Sequence, residues 1–177
     1  GFSPNIQEQA IAKFAMTLPI ASVPNGTVTT AKGFSAGGVF AGIKTPGPGK
    51  LDLGIIYSEQ PCAVAGTFSQ NTIISSTVVL DKERVGTDKS IHAVVVNSGC
   101  ANTAVGDQGM TDAKEMTKLA AEHLGVSEEQ TLVSSTGVIG VEIPMALMRE
   151  FIPQIKLTAD GGGDFANAIL TTDKRTK

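Results

Sequence analysis

The chain has 177 residues, 41% of them apolar and 18% charged, with a formal net charge of −3. That balance suits one domain with its own core rather than a disordered chain, and the negative charge with scattered cations excludes an electrostatic footprint for nucleic acid or an anionic membrane surface. No apolar run is long enough to span a bilayer, and Cys62 and Cys100 make neither a metal spacing nor a disulfide framework, which fits a reduced compartment such as the cytoplasm.

Residues 1–28 read as an N-terminal arm, and 29–177 as a single domain. The arm lacks periodicity, and Pro19, Pro24 and the Asn25-Gly26 turn signal suggest extended chain. It has no secretory apolar core and no Arg, so neither a secretory nor a transit peptide is expected. Gly33-Phe34-Ser35-Ala36-Gly37-Gly38 leads into a strand, and Thr45-Pro46-Gly47-Pro48-Gly49 is a surface loop by composition. Leu51 to Ser58 and Cys62 to Ser69 read as two neighbouring strands, with a short third over Thr77 to Leu80. Asp81 to Ser90 reads as a charged connector, its Asp81-Lys82-Glu83-Arg84 run a solvated turn. Ile91 to Val96 is nearly continuously apolar, the pattern of a strand buried on both faces.

A loop then runs from Asn97-Ser98-Gly99 to Gly109 and feeds a helix from about Asp112 to Leu124. Ala113, Met116, Ala120 and Leu124 mark one face of that helix, and Gly125 its stop. Thr131 to Ser134 is the next strand, followed by a turn at Thr136-Gly137-Val138-Ile139-Gly140. A second helix begins near Pro144, with Leu147, Met148, Phe151 and Ile155 on one face, and Pro153 ends or kinks it early. Asp164 is expected to N-cap a last short helix through Leu170. Alternating strands and helices with short connections predict a mixed α/β (α+β) layered fold.

Two loops could carry chemistry. In Ser134-Ser135-Thr136-Gly137-Val138-Ile139-Gly140, glycine frees backbone N–H groups to face a ligand and a hydroxyl adds a second donor; two convergent donors are what a developing oxyanion requires. A plain tight turn with glycine at positive φ is the commoner reading of such a segment. In Asn97-Ser98-Gly99-Cys100-Ala101-Asn102-Thr103, Cys100 could act as a nucleophile, but a thiolate needs a base or a positive field. Neither His92 nor His123 is placed beside it by sequence, and a small buried thiol is the commoner case. Thr171-Thr172-Asp173 could bind a substrate amine or carboxylate, or be a solvated helix end. No Walker loop, zinc spacing or dinucleotide fingerprint occurs, so neither a metal nor a cofactor is expected.

Taken together these segments resemble the ornithine acetyltransferase (glutamate N-acetyltransferase) family of arginine biosynthesis. The resemblance is carried by Thr30-Ala31-Lys32-Gly33-Phe34 with Gly37-Gly38, by Leu51-Asp52-Leu53, and by Ala65-Gly66-Thr67-Phe68-Ser69-Gln70-Asn71. It continues through Val95-Val96-Asn97-Ser98-Gly99-Cys100-Ala101-Asn102, Ser135-Thr136-Gly137-Val138-Ile139-Gly140, Pro144-Met145 and Ala168-Ile169-Leu170-Thr171-Thr172-Asp173. Two departures are Lys174, where the family usually has Thr, and Asn102-Thr103-Ala104-Val105-Gly106.

The resemblance implies that this is the α chain of a precursor that cuts itself before a threonine. That threonine, at the head of the β chain, takes the acetyl group from N-acetylornithine and passes it to glutamate in ping-pong fashion. It further implies an oxyanion hole made by the Thr136 hydroxyl and the Gly137 N–H, and substrate contacts at Thr171 and Thr172. An αββα sandwich of two packed sheets, completed by the separate β chain in an α2β2 heterotetramer, follows from it as well. The location would be cytoplasmic, or the mitochondrial matrix or plastid in a eukaryote. Acetyl-CoA is an open second donor. The family's α chain runs on to a Lys-Gly segment and the cleavage site, so Lys177 is not expected to be the processed terminus. Two other readings stand beside this one: a cysteine acyltransferase using Cys100, and a non-catalytic small-molecule binding domain. An N-terminal-nucleophile aminopeptidase of similar fold is disfavoured by the Thr-Gly-Val-Ile-Gly and Thr-Thr-Asp motifs.

Overall fold

The apolar run that opens at Ile91 becomes an inner strand. In the computed structural model, which describes residues 21, 23–44, 49–87, 90–173 and 175–176, four strands form one sheet in the order β1-β2-β3-β4. They are β1 (Phe34–Val39), β2 (Leu53–Cys62), β3 (Ile91–Cys100) and β4 (Thr131–Val138). The β1–β2 and β2–β3 pairs are antiparallel, whereas β3 and β4 are parallel. A parallel pair needs a crossover rather than a hairpin, and residues 101–130 supply it with a long helix. The helices are α1 (Ser76–Val85), α2 (Gln108–Leu124), α3 (Met145–Phe151) and α4 (Gly162–Ala168). The expected arm over 1–28 lies outside the described residues, apart from position 21 and 23–28. Residues 45–48, most of the expected surface loop, lie outside them too.

The larger core forms on one face of the sheet. Leu53, Ile55, Val95 and Val133 meet Leu80 of α1, Met116 of α2 and Met148 of α3 there. On the other face Phe165 of α4 packs with Ala36 and Val96, and the segment before α4 is stitched to β1 by two backbone bonds between Ala36 and Thr158, each 3.0 Å. The fold is mixed α/β, as the element pattern implies. α2 ends where expected, at Gly125, whose φ of 70° is the left-handed conformation that glycine adopts without penalty. α3 also ends early, as Pro153 implies, by passing into the 3-10 turn Ile152–Gln154.

Three local expectations are overturned. Leu51–Ser58 and Cys62–Ser69 are not two strands. The first continues through the register irregularity between Tyr57 and Cys62 as the single strand β2, and residues 63–70 form no regular structure. Both edges of β2 are already paired, with β1 and β3, so no ladder is left on it for the following segment, and Pro61 weakens the end of the strand by lacking an N–H.

Thr77–Leu80, rich in β-branched residues, is helix rather than strand. Ser75 caps it, its side chain accepting from the Thr77 N–H at 3.3 Å. Thr77, Leu80 and Arg84, at helical spacing, turn inward. The charged run is correspondingly not a solvated turn. Arg84 is 8% exposed, donates to the Thr131 carbonyl, and pairs with Glu128 at 2.8 Å. Asp81 accepts from the Val133 N–H at 3.0 Å. Thirdly, Asp164 sits inside the first turn of α4, and Gly161 takes the cap position.

Asp81 carries a testable pH signature. Burial pushes its carboxyl up to about 6, against the opposing effects of the Val133 N–H and the Arg84 charge. A carboxyl with a raised folded-state pKa makes the fold most stable when protonated, so stability falls as pH rises through about 6. Asp81→Asn keeps an acceptor for Val133 and removes the charge. It is expected to stabilise the protein at pH 8 by on the order of 2 kcal/mol, the gain vanishing toward pH 4, in denaturant melts at the two pH values. Equal destabilisation at both would refute the assignment.

Candidate active site

The parallel ladder of β3 and β4 runs further than the apolar pattern alone suggests. Pairing continues through Asn97–Ser135, Ser98–Thr136, Gly99–Gly137 and Cys100–Val138. The two segments expected as loops are therefore strand ends: Asn97 to Cys100 finish β3, and Thr136 and Gly137 lie in β4, with the turn only at Ile139–Gly140. The carboxyl ends of parallel strands are a common place for ligand clefts.

Gly99 and Gly137 face each other at φ values of 126° and 136°. A Cβ on Gly137 would overlap the Gly99 backbone and come within 2.7 Å of the Cys100 nitrogen, and a Cβ on Gly99 would meet the Ile43 side chain at 2.8 Å. Here glycine is required both for its conformation and for the close approach of two backbones.

A buried carboxylate organises the loop that covers Gly99. Asp52, fully buried, accepts from the Ala41 and Ile43 N–H groups at 2.7 Å each and from the Lys44 N–H at 3.1 Å. Gly42, at φ 82°, lets the chain curl around it. The Asp52 carbonyl in turn accepts from the Ser98 N–H at 2.8 Å, which ties the loop to β3. The C-terminal end of α4 is anchored to the same place: Ser98 Oγ donates to the Ala168 carbonyl at 2.6 Å, and Lys44 Nζ donates to the Leu170 carbonyl.

These anchors bring Thr171 and Thr172 to Thr136 and Gly137. All four line one cleft of about 420 Å³, together with Lys44, Gly99 and Val138. Thr136 and Thr171 are half-buried, whereas Gly137 and Thr172 are exposed, so the cleft opens to solvent. Chemically it offers hydroxyls and a glycine backbone, a set suited to holding an oxygen that gains negative charge, and one ammonium able to pair with an anion. Among the described residues no three His, Cys, Asp or Glu side chains converge to make a metal cage.

Sequence reasoning singled out Thr136, Gly137, Thr171 and Thr172 but missed the roles of Asp52 and Lys44. The available signal was a lone acid between Leu51 and Leu53, at the head of an apolar strand; Lys44 carries no local signal. Cys100, by contrast, is 6% exposed, and burial raises its thiol pKa, which disfavours thiolate. His92 Nδ1 bonds the Ser58 carbonyl at 2.9 Å near the other end of β3, roughly 26 Å from Cys100 at ~3.3 Å per residue. His123 bonds the Ile155 carbonyl on the α2 side. Both histidines are thus engaged elsewhere, and the raised thiol pKa of Cys100 disfavours the cysteine-nucleophile reading.

Comparison with known proteins adds an independent line. The ArgJ family model matches residues 35–177. The chain is 45% identical over 156 residues to the arginine biosynthesis bifunctional protein ArgJ of Dehalococcoides mccartyi, covering 88% of this chain and 38% of that protein. It is 48% identical over 147 residues to the ArgJ protein of Geobacter sulfurreducens, covering 80% of this chain and 36% of the relative. The chain thus spans well under half the length of these curated relatives. Among solved structures, ArgJ from Bacillus halodurans aligns with a TM-score of 0.81 at 37% identity, over 86% of this chain and 80% of that one. Ornithine acetyltransferase from Mycobacterium tuberculosis, crystallised with ornithine, aligns with a TM-score of 0.79 at 33% identity, over 84% and 81%.

Proposed function

Since the chain belongs to the ArgJ family, we propose that it is the α part of an acetyltransferase of arginine biosynthesis, moving acetyl from N-acetylornithine to glutamate. The observation that carries this reading is the cleft itself: Thr136 and Gly137 from the end of β4 and Thr171 and Thr172 from beyond α4 share one cavity, although more than thirty positions separate them in the chain.

The proposed chemistry uses these groups in order. The hydroxyl of an N-terminal threonine on a companion β chain attacks the acetyl carbonyl of N-acetylornithine, and its proton passes to the threonine's own α-amine. The resulting oxyanion is held by the Thr136 hydroxyl and the Gly137 N–H. Collapse breaks the C–N bond, the departing ornithine nitrogen takes the proton, and an acetyl-threonine ester remains. The amine of glutamate attacks that ester through the same hole; the acyl C–O bond breaks, the amine's proton passes by way of the α-amine to the threonine oxygen, and N-acetylglutamate leaves. Thr171 and Thr172 contact the substrate.

Two surface features support the companion chain. Val138, Ile139 and Val141, at 59%, 64% and 46% exposure, leave an apolar knuckle beside the cleft. On the sheet face that α4 covers only in part, Phe34, Ile56, Val94 and Leu132 line an open apolar groove of about 250 Å³. We seat the second sheet of the αββα sandwich there, in an α2β2 assembly. The cytoplasm is the proposed location; among the described residues no helix is long and apolar enough to cross a membrane. In keeping with the word bifunctional in the relatives' names, acetyl-CoA is included as a second donor, to be checked by N-acetylglutamate formation from acetyl-CoA and glutamate.

The decisive experiment is mass spectrometry of the purified native protein with N-acetylornithine. The expected result is a second polypeptide beginning with Thr, whose first residue gains an acetyl group that glutamate removes. A native protein with no such polypeptide, or no acetyl transfer, would refute the reading.

A further inference from the structure

One lysine stands between two clefts at the end of α4. Lys44 and Thr171 line the cavity that holds Thr136 and Gly137, and also a neighbouring one of about 430 Å³ bordered by Lys50, Asn167 and Asp173. Lys44 is held from both ends: its backbone N–H donates to Asp52 Oδ2 at 3.1 Å, and its Nζ donates to the Leu170 carbonyl. An ammonium has three donors, so the Leu170 bond leaves two for a ligand.

Lys44 is also the one charged residue lining the first cleft among the described residues. Its ammonium makes no ion pair with another described residue. The Asp52 carboxylate is already engaged by three backbone N–H groups. The ion pairs among the described residues are Arg84–Glu128, Lys118–Glu122 and Arg149–Glu115, none of which includes Lys44. Burial depresses the Lys44 amine below its ordinary value; the Asp52 charge opposes this and Lys50 reinforces it. An anion seated in the cleft would relieve that cost.

Resting on the acetyl-transfer reading above, we propose that Lys44 is a carboxylate-binding residue of the cleft, its ammonium docking the carboxylate that N-acetylornithine and glutamate both carry. The carboxylate is charged before, during and after acetyl transfer. Lys44 therefore binds ground and transition states alike, and its removal raises KM rather than lowering kcat. A merely structural role, steadying the Thr171-Thr172 turn through Leu170, would lower kcat instead.

Lys44→Gln separates the two roles, because the amide can still donate to Leu170 while the charge is gone. In the assembled enzyme the expected result is a rise of about 10- to 100-fold in KM for both substrates, the range for loss of a charged hydrogen bond. The kcat should stay within about threefold, and Lys44→Arg should restore most of the affinity. The wild-type preference for N-acetylornithine over mono-acetylated 1,4-diaminobutane, which lacks the carboxylate, should shrink by the same factor. Unchanged KM, or a fall in kcat at constant KM, overturns the proposal. Lys44→Met is the second uncharged variant should Lys44→Gln fail to fold. Calorimetric titration of wild type and Lys44→Gln with glutamate decides the matter without turnover: weaker binding by the variant supports the proposal, and equal affinity overturns it. Absence of acetyl transfer by the wild type would sink the acetyltransferase reading separately.

Discussion

Thr136→Ala in the assembled enzyme is expected to slow acetyl transfer by about 10²- to 10³-fold, the usual consequence of deleting one oxyanion donor. Thr136 lines the cleft beside Gly137, on the strand end where β4 pairs with β3. On the proposed mechanism the contribution of its hydroxyl grows as the acetyl oxygen gains charge, so the loss should appear in kcat, with substrate affinity little altered. Thr136→Ser, which keeps the hydroxyl, should recover most of the rate. The proposed second donor, the Gly137 N–H, cannot be tested so cleanly, because any Cβ on Gly137 collides with the Gly99 backbone. Steady-state kinetics of the two Thr136 variants decide the case, and turnover by Thr136→Ala within about threefold of wild type would remove the hydroxyl from the mechanism.

The second large effect lies behind the cleft. Asp52 is fully buried and is the acceptor for three backbone N–H groups, those of Ala41, Ile43 and Lys44. Asp52→Ala leaves all three donors facing a cavity. An unsatisfied buried donor costs roughly 1–3 kcal/mol, so a total loss of about 3–5 kcal/mol is expected even after local relaxation. Asp52→Asn, with a single acceptor oxygen and an NH2 group aimed at further donors, should recover only part of that. The sharpest measurement is amide hydrogen exchange: protection at Ala41, Ile43 and Lys44 should collapse first. Because the same loop carries Lys44 and lies over Gly99, substrate affinity should weaken with it. Retained protection at those three amides would show that the loop holds without its carboxylate.

The sites differ in how far they could be read from residues alone. Thr136, Gly137, Thr171 and Thr172 were singled out by motif resemblance, and the fold brings all four to one cleft; their local chemistry by itself allowed plain turns and helix ends. Lys44 had no such marker. Its place depends on Leu170 arriving from the far end of the domain to accept from its ammonium. Asp52 looked like one acid among leucines until the chain at 41–44 closed around it.

Sequence alone determined the elements whose cause is local. The apolar run from Ile91 specified an inner strand, the 3.6-residue spacing of Ala113, Met116 and Ala120 specified α2, and Gly125 and Pro153 specified where helices stop, since backbone sterics at those residues act without tertiary partners. Tertiary structure decided the rest. It made Thr77–Leu80 a helix, because Asp81 and Arg84 find β4 groups to bond from that conformation. It denied residues 63–70 a strand, because β2 had no free edge. It also drew β3 and β4 out through Gly99 and Gly137, because two glycines allow backbones to meet where any side chain would hold them apart. Hydrogen-bond partners and burial are set by residues distant in the chain, and the cleft exists only once those distant segments have met.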